Sequence, residues 1–241
     1  MKNLICAALA FTVFACAPAN NTNTTSDTAA TASATAATTT NTTTAPTTGA
    51  APNTATMPKA GDEEKPMSNY ENKVAELHTS SGEIDIRFFP DKAPNHVKNF
   101  IDLAEKGFYN GTKFHRVIPG FMIQGGDPNT VSGDPSTWGT GGSGKYVKAE
   151  FNDVHHARGI VSMARSNDPN SASSQFFICV ADAGFLDRQY TAFGEVTKGM
   201  DVADKIVAAP RDANDRPNSP TTIEKVVIRD AKPGEGGATG K

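Results

Sequence analysis

The chain has 241 residues, of which 20% are charged and 37% hydrophobic, and its formal net charge is -3. This balance gives no general electrostatic reason to bind nucleic acid or an anionic membrane surface, so neither is expected as a partner through charge. Residues 17–66 are mostly Thr, Ala, Asn, Ser and Pro, which bury too little apolar surface to offset the entropy lost on ordering. We therefore predict a disordered tether at 16–68, one folded domain at 69–230 and a flexible tail at 231–241.

The first residues have the pattern of an export signal. Lys2 precedes an apolar run at 4–14, which suits the core of a signal peptide and is too short to span a bilayer. We therefore predict a signal peptide at 1–15, export, and a periplasmic or cell-envelope location for the mature protein.

Two cleavage positions remain open. Cleavage after Ala17 would follow a small-residue pattern but would leave Pro18 as the first mature residue, which is an awkward site for an ordinary signal peptidase. Alternatively, Val-Phe-Ala-Cys at 13–16 resembles a bacterial lipoprotein box. In that case Cys16 would be lipidated and would attach the protein to a membrane.

The folded segment opens with a predicted hairpin and a helix. Ser-Ser-Gly at 80–82 separates an apolar approach from the alternating residues 84–88, which predicts two strands within Leu77–Phe89. From Pro94 to Lys106 the apolar side chains recur at spacings of three and four, as an amphipathic helix requires. Pro94 suits the first turn of that helix and Gly107 its end.

Short apolar runs broken by Gly, Pro, Asn and Asp follow, which indicates a sandwich or barrel. The predicted strands lie within Lys113–Ile118, Phe121–Gln124, Gly159–Ala164, Gln175–Val180, Thr191–Val196 and Thr222–Ile228. A second helix is predicted at Met200–Ala208, before Pro210. The expected fold is mainly β, a closed eight-stranded antiparallel β-barrel capped by two α-helices.

Three features suggest other chemistry, and each has a simpler explanation. The glycine-rich segment 139–145 contains both GxGxxG and GxxxxGK. Tyr146 stands where the second motif needs Ser or Thr, and a strand-like segment follows where a helix should start, so a glycine loop near a binding groove is favoured. His155 and His156 adjoin Asp153, but adjacent side chains usually point apart, which favours a surface loop over a metal site. Cys179 lies in an apolar run and is expected to be a small buried hydrophobe rather than a nucleophile.

The segment 114–127, Phe-His-Arg-Val-Ile-Pro-Gly-Phe-Met-Ile-Gln-Gly-Gly-Asp, carries the functional signal. Together with Ser-Met-Ala at 162–164 and Ser-Gln-Phe-Phe-Ile at 174–178, it closely resembles the cyclophilin family of peptidyl-prolyl cis/trans isomerases. The resemblance extends from Val74 to Asp230 and implies a cyclophilin-like barrel.

The resemblance also implies a role for each matching residue. Arg116 would be the catalytic arginine, supported by Gln124. Phe121, Met122, Phe177 and Leu186 would form a proline pocket, and Ala164, Arg165 and Gln175 would line the adjoining groove. Phe185 and Tyr190 would be the other substrate-binding positions.

Three positions differ from the commonest eukaryotic pattern. Phe185 stands where Trp is usual, Tyr190 where His is usual, and Arg165 where Asn is usual, so the chain resembles a bacterial branch. Without an indole N–H at Phe185, cyclosporin-like ligands are expected to bind less tightly.

These residues suit rotation about an X-Pro bond, in which no bond breaks and no proton moves. Resonance is lost in the twisted transition state, so the prolyl nitrogen becomes an acceptor that a donor such as Arg116 can stabilise selectively. No cofactor is therefore expected. His115 is expected to be a hydrogen-bonded framework residue, while Phe114, Phe176 and Ile178 are expected to turn into the core.

The expected ligands are proline-containing peptides and unfolded exported proteins, whose folding the enzyme would accelerate as a monomer. The alternative is a proline-binding chaperone or adaptor of the cell envelope, in which turnover is incidental. Replacing Arg116 separates the two, because a holdase would keep its binding.

Overall fold

The computed structural model describes residues 70, 72–233 and 235. The eight strands are β1 (Lys73–Thr79), β2 (Gly82–Phe88), β3 (Arg116–Ile118), β4 (Met122–Gly125), β5 (Ile160–Met163), β6 (Phe176–Cys179), β7 (Ala192–Lys198) and β8 (Ile223–Asp230). Each overlaps a segment in which the sequence predicts a strand, although β1 begins at Lys73, four residues before the predicted start at Leu77. The hairpin of β1 and β2 pairs Thr79 with Gly82, so the predicted turn is confirmed.

The strands form one curled antiparallel sheet in the order β3-β4-β6-β5-β7-β2-β1-β8. Strands β3 and β8 are its edges, so the prediction of a closed barrel is wrong: the sheet is an open half-barrel. The chain approaching β3 is held near β8 by separate backbone bonds, including Gly111 N–H to Ile223 O at 2.7 Å and Phe114 N–H to Thr221 O at 3.0 Å. Since β3 has three residues, it is too short to continue a ladder along β8.

The helices are α1 (Pro94–Glu105), α2 (Asn129–Ser132) and α3 (Met200–Val207). The predictions for α1 and α3 are confirmed, with Pro94 in the first turn of α1. The free backbone N–H groups at the start of α1 find an acceptor on a distant loop. The Glu150 carboxylate accepts hydrogen bonds from the backbone N–H groups of Asn95 at 3.1 Å and His96 at 3.0 Å. Helix α2 was not predicted, since one turn is too short to show helical periodicity.

Strand β6 divides two groups of buried side chains. Phe176 and Ile178 lie in the main core, with Phe114 on the approach to β3, and all three are fully buried as predicted. Phe177 and Cys179 point to the other face and join a smaller apolar cluster. The alternation of a strand therefore separates the fold's core from a second, smaller apolar compartment.

The predicted signal peptide at 1–15 and tether at 16–68, including Cys16, lie outside the described residues. Within the part that is described, no helix is both long and apolar enough to cross a bilayer. Of the predicted tail, residues 231–233 and 235 are described, and Glu235 forms an ion pair with Arg229 at 2.6 Å. The domain boundaries remain predictions.

Candidate active site

The smaller apolar cluster brings together the residues predicted for a proline pocket. Its buried members are Met122, Phe177, Cys179, Ala183 and Leu186, and Ile118, Phe121, Ala164 and Tyr190 pack against them half-buried. Met122 and Phe177 come from the neighbouring strands β4 and β6, and Leu186 comes from a short 3-10 helix, Gly184–Leu186. The cluster thus contains all four predicted pocket residues.

Aromatic rings form the rim of this pocket. Phe185 is 66% exposed and its ring centroid lies 5.2 Å from that of Phe121. On the other side, Tyr190 packs edge-on against Phe177 at 5.8 Å. Two of the three positions that differ from the common family pattern, Phe185 and Tyr190, therefore border the pocket.

Arg116 begins β3, and its side chain is 46% exposed. The register of β3 and β4 places Gln124 directly opposite it. The Arg116 Nε atom lies 3.9 Å from Asp215 Oδ2, while the next residue, Val117, donates its backbone N–H to Asp215 O at 2.8 Å. The Asp215 carboxylate also accepts a hydrogen bond from Arg211 Nε at 3.1 Å, so it is a weak partner for Arg116 and the guanidinium stays accessible. Sequence reasoning did not find Asp215, since about a hundred residues separate it from Arg116.

A groove of about 390 Å³ adjoins the pocket. Its lining residues are Gln124, Gly139, Thr140, Gly141, Gly142, Gly144, Tyr146, Ala164, Arg165, Ser166, Ser171, Ser173 and Gln175. The predicted groove residues are thus assembled together, and the glycine-rich loop lies at the groove as predicted. Tyr146, 76% exposed, was not predicted as a lining residue.

The backbone of the glycine-rich loop is bonded to an acidic side chain of the protein, which leaves less of it free to bind a phosphate. The Gly139 N–H donates to the carboxylate of Asp127. A Cβ atom at Gly141 would lie 2.1 Å from Asp127 Oδ1, so no larger residue fits there without displacing the loop. The Gly139 amide is therefore already occupied by the Asp127 carboxylate.

Arg165 braces the wall of the groove. Its guanidinium stacks over the Tyr190 ring at 4.5 Å and donates to Gln189 O at 3.0 Å and to Ser166 O at 2.9 Å. These contacts fix the segment that carries Tyr190, so a large part of the donor capacity of Arg165 serves the protein itself.

His115 is buried, and by strict distance and angle neither ring nitrogen has a hydrogen-bond partner among the described residues. The backbone of Lys113 and the side chain of Gln175 nevertheless lie close enough to act on the ring, so a hydrogen-bonded framework histidine stays a prediction. The nearby Gln175 amide donates to the carbonyls of Gly139 and Gly141. Burial lowers the pKa of His115, which favours the neutral ring.

The prediction that His155 and His156 form a surface loop is wrong for His156. That ring is 1% exposed, stacks on Phe177 and lies within hydrogen-bond distance of Asp187 at 2.9 Å and Ser162 at 3.1 Å. Asp187 lies 31 residues away along the chain, so no local sequence pattern indicates this contact. Asp153 pairs with Lys92 at 2.8 Å, and the described residues contain no group of three or more His, Cys, Asp or Glu arranged to hold a metal ion.

Cys179 is a buried free thiol, as predicted. Burial raises its pKa to about 12, which keeps the sulfur protonated.

Comparison with known proteins agrees with this geometry. Residues 74–228 match the family model described as cyclophilin type peptidyl-prolyl cis-trans isomerase. Peptidyl-prolyl cis-trans isomerase A of Dickeya dadantii is 46% identical over 162 residues, which cover 65% of this chain and 82% of that protein. A probable peptidyl-prolyl cis-trans isomerase of Brucella abortus is 45% identical over 163 residues, 66% of this chain and 83% of that protein.

The fold is shared with solved structures as well. A cyclophilin type isomerase of Cryptosporidium parvum, crystallised in the presence of the dipeptide Ala-Pro, superposes with a TM-score of 0.59 and 32% identity over 65% of this chain and 99% of that chain. The chain therefore belongs to the cyclophilin-type peptidyl-prolyl cis-trans isomerase family and is an enzyme of that class.

Proposed function

We propose that this enzyme accelerates the folding of exported proteins by rotating their X-Pro bonds, with Arg116 as the catalytic residue. The observation that carries the proposal is the position of Arg116. It begins the strand paired with β4, and β4 supplies Met122 to the apolar pocket. A permanently charged donor thus lies on the same pair of strands as a site able to hold a proline ring.

The pocket and the arginine divide the work of catalysis. The uncatalysed barrier is about 18–20 kcal/mol, and a change from tens of seconds to about a millisecond requires roughly 6 kcal/mol. Met122, Phe177 and Leu186 hold the ring while the other side of the bond rotates. Arg116 then donates to the prolyl nitrogen, which accepts a hydrogen bond strongly only when the amide is twisted.

The adjoining groove suits the residues that precede proline. Its walls combine carbonyls, hydroxyls and the side chains of Gln124 and Gln175, so they can bind an extended peptide backbone with little dependence on side-chain identity. The Cryptosporidium structure obtained with Ala-Pro supports proline-containing peptides as ligands.

Export and anchoring are further parts of the proposal. They rest on the predicted signal peptide at 1–15 and on Cys16 as a lipidation site. A flexible tether of about fifty residues would span roughly 40 Å, which would free the domain from a membrane surface. Mass spectrometry of the mature N-terminus checks this directly: a diacylated Cys16 supports anchoring, whereas an unmodified N-terminus contradicts it.

Protease-coupled isomerisation of a short Ala-Pro peptide tests the catalytic assignment. We expect Arg116→Ala to lower kcat by about a hundredfold to a thousandfold with little change in KM, since the donor acts mainly in the transition state. Arg158→Ala is the matched control, because Arg158 is an exposed arginine paired with Asp204 at 2.7 Å and lies outside the groove.

Two outcomes would overturn the proposal. Equal turnover by wild type and Arg116→Ala would remove the arginine from the mechanism. Peptide binding without turnover by the folded wild type would favour the chaperone or adaptor alternative.

A further inference from the structure

The outer wall of the proline pocket is a short turn between two aspartates. Asp182 and Asp187 flank the 3-10 helix Gly184–Leu186, which presents Leu186 to the pocket and Phe185 to its rim. Leu186 is 7% exposed and belongs to the pocket cluster. The position of this turn therefore sets the width of the pocket.

His155 lies across this turn and joins both of its ends. Its Nδ1 atom is 2.7 Å from Asp187 Oδ2, and its Nε2 atom is 2.5 Å from Asp182 Oδ2. The ring packs against Gly184, where a Cβ atom would lie 2.9 Å from the His155 Cε1 atom. The absence of a side chain at Gly184 thus lets the ring contact the turn directly.

These contacts require a charged ring. Ionised carboxylates only accept hydrogen bonds, so both nitrogens of His155 must carry protons. The hydrogen bonds to Asp187 and Asp182 raise the pKa of His155 accordingly. Burial alone would raise the pKa of Asp187, but hydrogen bonds from His155 and His156 outweigh it and lower that pKa to about 2.

The other titratable groups around the turn do not compete for this proton. His156 donates its backbone N–H to Asp187 at 2.8 Å, and burial lowers the pKa of its ring, which favours the neutral form. The buried thiol of Cys179, on β6, stays protonated. The charge of His155 is thus the one that changes near neutral pH within this group.

We propose that His155 is a positioning residue for the isomerase reaction, because its bridge between Asp182 and Asp187 holds the turn that carries Leu186 and Phe185. The inference rests on the proposed use of this pocket for proline. His155 acts through the turn and does not itself touch the proline ring of the substrate.

The proposal predicts a pH dependence with a definite sign. Because the pKa of His155 is raised in the folded protein, the bridge is complete below the ordinary histidine value of about 6.5 and is lost as pH rises through the folded pKa. A loosened wall weakens binding of the planar and twisted forms of the substrate alike. KM should therefore rise while kcat stays nearly constant.

The experiment measures kcat and KM for a short Ala-Pro peptide by NMR exchange, without a coupling protease, from about pH 6 to pH 9. We expect the wild-type KM to rise about threefold to tenfold over this range, the size of one or two net hydrogen bonds. His155→Gln should show the high KM at every pH. His155→Arg, which keeps its charge, should hold a low KM at high pH.

His78→Gln serves as the matched control. His78 also faces two carboxylates, Glu83 at 3.2 Å and Glu76 at 3.8 Å, but it lies on β1 rather than at the pocket. Its variant should keep the wild-type profile.

The methyl signals of Leu186 give a readout that does not depend on turnover. They should titrate with His155 in the wild type and should stay at their high-pH positions in His155→Gln. A wild-type KM and unchanged Leu186 signals in His155→Gln at pH 6 would overturn the inference. If the wild type shows no turnover, the proposed function fails, and the Leu186 titration alone then decides whether His155 holds the turn.

Discussion

The side-chain amide of Gln124 donates a 2.9 Å hydrogen bond to the side-chain oxygen of Gln175. Gln175 in turn donates to Gly139 O at 2.9 Å and to Gly141 O at 2.8 Å. A pair of amides therefore connects the strand opposite Arg116 to the glycine-rich loop. The predicted support of Arg116 by Gln124 remains a prediction, whereas its link to the groove is direct.

Replacing Gln175 should affect binding more than chemistry. Gln175→Met keeps the length of the side chain but removes three hydrogen bonds, so the glycine-rich loop should lose its attachment. We expect KM to rise about threefold to tenfold with kcat nearly unchanged. Steady-state kinetics measures this, and hydrogen exchange should be faster across 139–144. A collapse of kcat at constant KM would instead place Gln175 in the transition-state contacts.

Phe176 and Phe177 are adjacent, but truncating Phe176 should mainly lower stability, whereas truncating Phe177 should mainly lower activity. Phe176→Ala opens a hole in the main core and should lower the free energy of unfolding by about 3–5 kcal/mol. Phe177→Ala faces the pocket cluster, so its loss of stability should be smaller and its loss of kcat/KM at least about tenfold. Urea unfolding and peptide kinetics on both variants check the contrast. Equal stability losses with equal activities would show that the two faces are not separate.

Glu150 should make the stability depend on pH. Burial alone would raise the pKa of Glu150, but hydrogen bonds from His96 and Asn95 outweigh it and lower the pKa. The stability that ionised Glu150 contributes to the folded protein is therefore present above the ordinary pKa of about 4.3. It is lost as pH falls through the lowered pKa that Glu150 has in the folded state. Glu150→Gln should lower the free energy of unfolding by about 1–2 kcal/mol at neutral pH.

The measurement is urea unfolding of both proteins from about pH 7 to pH 3, where the difference should shrink toward zero. Glu224→Gln, an exposed change on β8, is the control and should differ little from wild type at any pH. A difference that stays constant down to the lowest pH would mean that the charge of Glu150 does not stabilise α1.

The strands and the long helices could be predicted because their signals are local. The alternation at 84–88 and the spacing of apolar residues in α1 are visible within a few residues of sequence. The closure of the sheet is a different kind of property. It depends on how far β3 runs beside β8, and the apolar pattern at 113–118 does not show that β3 begins only at Arg116.

The pocket could be assigned through family resemblance, whereas its supports could not. Asp215 meets Arg116 from a loop far along the chain, and Asp187 reaches His156 from 31 residues away. Such contacts follow from the folded arrangement rather than from spacing. His115 shows the converse: its place in the framework was foreseeable from its apolar neighbours, but the geometry of its ring contacts depends on where Gln175 directs its amide.

The division of strand β6 into two faces also bears on how this protein can change. Phe176 and Ile178 belong to the scaffold, while Phe177 belongs to the recognition surface. Substitutions at Met122, Phe177 or Leu186 can therefore alter ligand preference while the aromatic interior stays intact. Ligand selectivity can therefore diversify, in evolution or in design, while the residues of the main core continue to supply the stability of the fold.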